Sequence, residues 1–251
     1  MISLKTKDWE INNIETIIFD KDGTFIDLHY FWGKMTEFRA KEIVRRYNAP
    51  AGTFEKLCAY LGYNLETGKM YPDGITALYS RSKIIEIFRG NLLDEKINLT
   101  TLELEEIFDT VSENFYKNIT EFTMPIPSAI EFIKKVHAKG VKLGIVTSDS
   151  LVSTNLTLEQ FGWKDLFSSV VGRESSNETK ESGVPTKLAL KELGANPETT
   201  VMIGDAPMDY ISAKNAGIER TILVATGQIN KAELSKHSAY VVNSLIEVNI
   251  L

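Results

Sequence analysis

The chain has a single cysteine, Cys58, among its 251 residues, so no internal disulfide can brace it. Its three histidines, His29, His137 and His237, are widely separated, and no Cys/His cluster has the spacing of a zinc site. Positive charge is in deficit. The 28 Lys and Arg against 34 Asp and Glu give a net charge of −6, which argues against a nucleic-acid surface. An anionic ligand must therefore be drawn by a local site, not by the global field. No apolar run approaches the length of a membrane span. Asp8 and Glu10 interrupt the N-terminal stretch before it can read as a signal segment. Internal repeats and low-complexity segments are also absent. These absences leave a cytoplasmic protein, monomer or homodimer, with no membrane or nucleic-acid partner as the expectation. The 43% hydrophobic content suffices for a core of ordinary size.

What is present centres on Ile17-Ile18-Phe19-Asp20-Lys21-Asp22-Gly23-Thr24. The run Thr16–Phe19 reads as a buried parallel strand that ends in a carboxylate. Chemistry in open α/β sheets sits just beyond the carboxyl ends of the strands. Asp20 and Asp22, two apart, would point the same way in extended chain. Two converging carboxylates are costly to hold together without a cation, and a hard divalent ion such as Mg²⁺ suits them. Gly23 permits a tight turn or a close approach to a ligand, and Thr24 adds a hydroxyl. Alone, the motif reads equally well as an Asp-Gly turn capping a helix.

The chain around it has two regimes. Residues 1–15 are a polar lead-in or a short edge element. From 26 to about 120 no strand is evident. Helices are expected over roughly 31–46, 53–61, 75–89 and 101–117, with a loop from Gly62 to Gly74. From Met124 onward, strands alternate with helices. Strands are expected near 141–147, 167–171, 200–204 and 220–224, with a sixth at Val241-Val242. Ser128 with Glu131 reads as a capping box for a helix running to about Ala138. Residues 172–183 read as a polar loop. The fold class is therefore α/β, a doubly wound parallel sheet split after its first strand by a helical insertion. The bounds are 1–25 and 124–251 for the core and 26–123 for the insertion.

The ends of these strands present polar residues in a fixed order: Asp20 and Asp22, then Thr147 with Ser148, then Lys180, then Gly204-Asp205 and Asp209. Each has an ordinary explanation. Thr147 or Ser148 could cap a helix, Lys180 could be solvated surface, and Asp205 and Asp209 could serve a helix N-terminus. Their joint order and placement are not explained that way.

That order resembles the haloacid dehalogenase-like hydrolase superfamily, in its phosphoglycolate-phosphatase-like branch with a helical type 1 cap. Asp20 to Thr24 match the family's Asp-x-Asp-Gly-Thr. Thr147 closes an apolar strand as its second motif does. Lys180 precedes a helix ending Leu193-Gly194, and Gly204-Asp205 with Asp209 match the acidic fourth motif. The family's Lys-Pro-x-Pro is here Lys180-Glu181-Ser182-Gly183-Val184-Pro185, which implies a less rigid loop.

The resemblance implies a Mg²⁺-dependent phosphatase acting on a small phosphorylated metabolite, a sugar or organic-acid phosphate. Asp20 would be the nucleophile, and Asp22 the general acid and then base, with a raised pKa. The metal ligands would be Asp20, Asp22 through its carbonyl, and Asp205, supported by Asp209. Gly23, Thr24, Thr147, Ser148 and Lys180 would bind the substrate's phosphoryl group, Thr147 and Lys180 also stabilising the transition state. Having Asp at 22 separates the chain from the dehalogenases, which lack it, and from the cation-pumping ATPases, which have Thr there. A phosphomutase of the same fold and a catalytically silent binding protein remain as alternatives. Tyr30, Trp32, Arg39, Gly68 and Lys69 are the cap residues to consider for substrate choice, each with packing or solvated surface as its ordinary reading.

Overall fold

In the computed structural model, which describes residues 1–251, the polar lead-in is more ordered than its composition suggests. It forms β1 (Ile2–Lys5) and β2 (Glu10–Ile14), which pair antiparallel. Ile2, Leu4, Ile11 and Ile14 are buried while the residues between them are polar, so a few apolar positions suffice to seat the hairpin. The next strand, β3 (Thr16–Phe19), is buried along its whole length. Each fully buried Ile or Phe there contributes roughly 1.5–3 kcal/mol of apolar burial.

The residues divide into two units, 1–27 with 125–251 and 28–124; the seams expected from sequence fell at 25/26 and 123/124. The second unit holds α1 (Leu28–Tyr47), α2 (Thr53–Tyr60), α3 (Ile75–Leu78), α4 (Arg81–Asp94), α5 (Thr101–Lys117) and α6 (Ile119–Phe122). Its core includes Phe31 and Phe115, with Phe115 edge-on to Phe31 and to the half-buried Phe38. Thr100 and Glu103 form a reciprocal capping box at the start of α5. The expected loop at 62–74 contains a small hairpin, β4 (Tyr63–Asn64) with β5 (Lys69–Met70), so the unit is not all-helical. Strands of two residues are too short to show an alternating pattern. The turn is instead fixed by Asn64 Oδ1, which accepts from the N–H groups of Glu66 (2.9 Å) and Thr67 (3.1 Å).

The first unit resumes with α7 (Pro127–Ala138), β6 (Lys142–Val146), α8 (Leu151–Gln160) and β7 (Ser169–Val171). It continues through α9 (Val184–Leu193), β8 (Thr200–Gly204), α10 (Pro207–Asn215), β9 (Thr221–Val224), α11 (Lys231–Leu234), β10 (Tyr240–Val242) and β11 (Asn249–Ile250). The expected capping box before α7 does not form. Pro127 occupies the first helical position, which suits its fixed φ and missing N–H. Ser128 therefore falls inside the helix and bonds Ser244 Oγ at 2.9 Å, while Glu131 pairs with Lys135. The polar loop at 172–183 contains two short 3₁₀ turns, Arg173–Ser175 and Lys180–Ser182.

Six strands form one parallel sheet in the order β10-β9-β8-β3-β6-β7, and β11, β1 and β2 form a separate antiparallel sheet. The α/β class and its doubly wound sheet are as expected from sequence. Ile18 lies in one layer with Val146, Val171 and Met202 against Ala189, Leu193 and Ala213 of α9 and α10. Phe19, next in sequence, packs edge-on against Phe132 of α7, on the other face. From β3 the chain moves to β6 and β7 on one side, then back to β8, β9 and β10 on the other. β3 is thus the point where the winding reverses, the usual place for a ligand crevice. Phe19 is in register with both Ile145 and Ile203, so the three central strands end at one height.

Candidate active site

That shared height gathers the motif residues. Asp20 leaves β3, Thr147 leaves β6 and Asp205 leaves β8 at the same edge. Asp209 comes from the first turn of α10 and Lys180 from the 3₁₀ turn after β7. Carboxylate oxygens of Asp20, Asp205 and Asp209 all lie within 4.8 Å of one another, and all three residues are buried. Lys180 Nζ sits among them, 2.5 Å from Asp20 Oδ1 and 2.6 Å from Asp209 Oδ1. Asp205 makes no ion pair; Thr24 Oγ1 donates to its Oδ1 at 3.5 Å. Asp209 is held on its other oxygen by the Ala206 N–H at 3.0 Å.

The charge count is unbalanced. With all three ionised, the carboxylates leave an excess of two negative charges over the one lysine. At these separations each like-charge pair costs about 3–4 kcal/mol at an effective dielectric of ~20. Burial is the main force pushing the Asp20 carboxyl up to about 7, opposed by Lys180 and reinforced by Asp209. Asp205 is raised well above the ordinary carboxylate range by burial first, then by Asp20 and Asp209. Burial alone would lower Lys180, but Asp20 and Asp209 outweigh it and hold its pKa above that of a free lysine. A group of hard oxygen donors that is two charges short fits a divalent cation.

Two glycines make this crowding feasible. A Cβ on Gly204 would collide with the Asp209 carboxylate, and a Cβ on Gly227 with that of Asp205. Gly23 sits at φ +88°, and its carbonyl accepts from Thr226 Oγ1 at 2.6 Å, which ties the first motif to the loop after β9. Lys180 is not surface. Its turn is tied by Ser182 Oγ donating to the Thr179 carbonyl (2.7 Å) and by Asn215 Nδ2 donating to the Glu181 carbonyl (2.8 Å). Hydrogen bonds thus stand where the family pattern has prolines.

Asp22 lies outside the three-carboxylate cluster. Its Oδ1 is 2.5 Å from Lys21 Nζ, which also reaches Asp149 Oδ2 at 3.0 Å. Burial opposes the charge on Lys21, but Asp22 and Asp149 more than compensate and raise its pKa. Thr147 is buried, and its Oγ1 accepts from the Asp149 N–H at 3.1 Å; it does not cap α8, which Ser150 does. Ser148 is exposed, with its hydroxyl 3.9 Å from Met208 Sδ. Sequence reasoning passed over Lys21, Asp149, Thr226 and Gly227. A signal for the first two existed. A lysine next to an apolar strand, pointing opposite to Asp20, needs a buried acid, and Asp149 follows the neighbouring strand.

In the helical unit, Arg39 is buried with its guanidinium 4.1 Å from the Phe108 ring centroid. Tyr30 Oη donates to the Glu121 carbonyl at 3.0 Å, and Trp32 packs edge-on against Phe31. These three carry packing within their own unit. Lys69 is exposed on β5 beside exposed Gly68.

Residues 14–217 match the haloacid dehalogenase-like hydrolase family model. The chain is 28% identical over 208 residues to a phosphoglycolate phosphatase of Psychrobacter arcticus, covering 82% of this chain and 81% of that protein. It is 26% identical over 210 residues to the pyrophosphatase PpaX of Halalkalibacterium halodurans, covering 84% and 83%. The fold superposes on the crystal structure of a predicted phosphoglycolate phosphatase from Haemophilus somnus with a TM-score of 0.69, at 18% identity and 94% and 96% coverage. No helix is long and apolar enough to cross a membrane.

Proposed function

The chain belongs to the haloacid dehalogenase-like hydrolases, and from that premise we propose that it is a Mg²⁺-dependent phosphatase of a small phosphorylated metabolite, working through an aspartyl-phosphate on Asp20. The observation that carries this reading is the buried cluster of Asp20, Asp205 and Asp209 around Lys180, two positive charges short of balance. Curated relatives named phosphoglycolate phosphatase and pyrophosphatase support a phosphoryl-transfer substrate that is small and anionic.

Asp20 and Asp205 would hold the ion, with the Asp22 carbonyl as a third ligand and Asp209 as support. The ion would neutralise charge on the phosphoryl oxygens. An Asp20 oxygen attacks phosphorus while Lys180 and Thr147 steady the oxygens that gain charge. Gly23, Thr24 and Ser148 border the same edge and complete the phosphoryl site. Asp22, outside the cluster, is left for proton transfer. It donates to the leaving oxygen and then accepts a proton from the water that hydrolyses the intermediate. The helical unit 28–124 serves as the cap.

The test is release of inorganic phosphate from a panel that begins with 2-phosphoglycolate, pyrophosphate and sugar phosphates, with and without Mg²⁺. Mg²⁺-dependent release that Asp20→Asn abolishes is the expected result. Isomerised product without net phosphate would mark a mutase. Release that survives the substitution would sink the aspartyl-phosphate route.

A further inference from the structure

Beside the Lys180 cluster, a second lysine is sealed into the same sheet edge. Lys21 has no exposed side-chain surface, yet its Nζ lies 2.5 Å from Asp22 Oδ1 and 3.0 Å from Asp149 Oδ2. Asp149 is itself fixed. Its Oδ1 accepts from the Ser150 N–H at 2.7 Å, its own N–H donates to Thr147 Oγ1 at 3.1 Å, and its carbonyl accepts from the Arg173 N–H at 2.9 Å. Lys21 thus links the carboxylate after β3 to the loop that carries Thr147. The Asp22 side chain keeps 14% of its surface exposed, against 3% for Asp149, so Asp22 is the member of the trio that a substrate or water can reach.

Stability is a weak reason for this arrangement, because an apolar residue of similar volume often replaces a buried ion pair without loss. Geometry is a better one. We infer that Lys21 is a positioning residue for the reaction proposed above, on which this assignment rests. Anchored by Asp149, its ammonium fixes the Asp22 carboxyl group in line for both proton transfers. In the first, an Asp20 oxygen bonds to phosphorus, the ester P–O bond breaks, and the Asp22 proton goes to the leaving oxygen. In the second, a water oxygen bonds to phosphorus, its proton goes to Asp22, and the bond from Asp20 to phosphorus breaks to release inorganic phosphate.

The two variants to compare are Lys21→Met and the double variant Lys21→Met/Asp149→Asn, which removes the charge that the first leaves buried. Both are assayed at saturating Mg²⁺ on the best alkyl phosphate of the panel, 2-phosphoglycolate first, and on 4-nitrophenyl phosphate, whose leaving group departs without a proton. The expected result is a fall in alkyl phosphate kcat of about 10- to 100-fold, part of the ~10²–10⁴-fold that a general acid supplies. KM should stay within about threefold. The initial stoichiometric burst of 4-nitrophenolate should keep its rate within about threefold, and phosphoenzyme should then accumulate because its hydrolysis also needs Asp22. The double variant should show the same kinetic profile with a melting temperature near that of wild type. An equal fall in burst and alkyl turnover, no change in either, or a raised KM with kcat intact would each overturn the assignment. Wild-type protein with neither burst nor phosphate release would instead remove the phosphatase reading, and this assignment with it.

Discussion

Two buried lysines stand at the same sheet edge, and they differ in how much negative charge surrounds them. Lys180 faces a cluster of three carboxylates, Asp20, Asp205 and Asp209. Lys21 faces two, Asp22 and Asp149. With every carboxylate ionised, the first group is two positive charges short of neutrality and the second is one short. A divalent cation would complete the first, while the second keeps one carboxylate, Asp22, within reach of a substrate or water. On this account the sheet edge separates metal and phosphoryl chemistry from proton transfer, with one buried lysine on each side.

The largest way to break this division is at the nucleophile. Asp20→Asn should lower turnover by about 10⁴-fold or more, the scale on which removing a covalent nucleophile acts, measured as phosphate release at saturating substrate. Next is the lysine itself. Lys180→Met leaves three buried carboxylates without an internal cation and should cost about 3–5 kcal/mol in chemical denaturation without metal. Added Mg²⁺ should recover part of that loss, since it binds the same oxygens.

Metal addition to wild type is the third test. Mg²⁺ at 100 times its dissociation constant should stabilise the fold by about 2.7 kcal/mol, read as a rise in melting temperature that EDTA reverses. Its pH dependence has a definite sign. Asp20 keeps its proton up to about 7 in the folded protein, against 3.8 for an ordinary carboxyl, so the folded state holds more protons across that window. In metal-free protein this contribution to stability is present below 3.8 and is lost as pH rises through about 7. Metal binding must displace the protons held on Asp20 and Asp205, so Mg²⁺ affinity should climb as pH rises through about 7. A smaller effect should come from Gly227→Ala, whose methyl group would press on the Asp205 carboxylate. We expect a 10- to 100-fold loss of Mg²⁺ affinity by calorimetry, with little change in metal-free melting.

The sheet was legible from sequence because β3, β8 and β9 are runs of apolar and β-branched residues and most of its strands end at Gly, Thr or Asp, a pattern that buried parallel strands carry. The β4/β5 hairpin was not, since strands of two residues are held by an Asn turn and carry no periodicity. The Ser128–Glu131 motif misled because Pro127 starts the helix one residue before Ser128. In the site, Asp20, Asp205, Asp209 and Lys180 were visible as polar breaks after apolar strands. The approach of Asp20, Asp205 and Asp209, two of them paired with Lys180, depends on register between β3 and β8, which no local pattern encodes. Lys21 was hidden for a different reason. It reads as the variable position between two acids, and its meaning appears only when Asp149 from the adjacent strand end is placed beside it.

The division of labour is tested most directly by where the phosphoryl group goes when proton transfer is removed. Asp22→Asn should leave the metal and phosphoryl cluster intact while disabling the base for the second step. After brief exposure to 4-nitrophenyl phosphate with Mg²⁺ and an acid quench, mass spectrometry should find one phosphoryl group on the peptide containing Asp20. The Asp20→Asn/Asp22→Asn double variant should carry none. No phosphoryl group on that peptide while Asp22→Asn still releases phosphate would contradict the account, as would a phosphoryl group on any other residue.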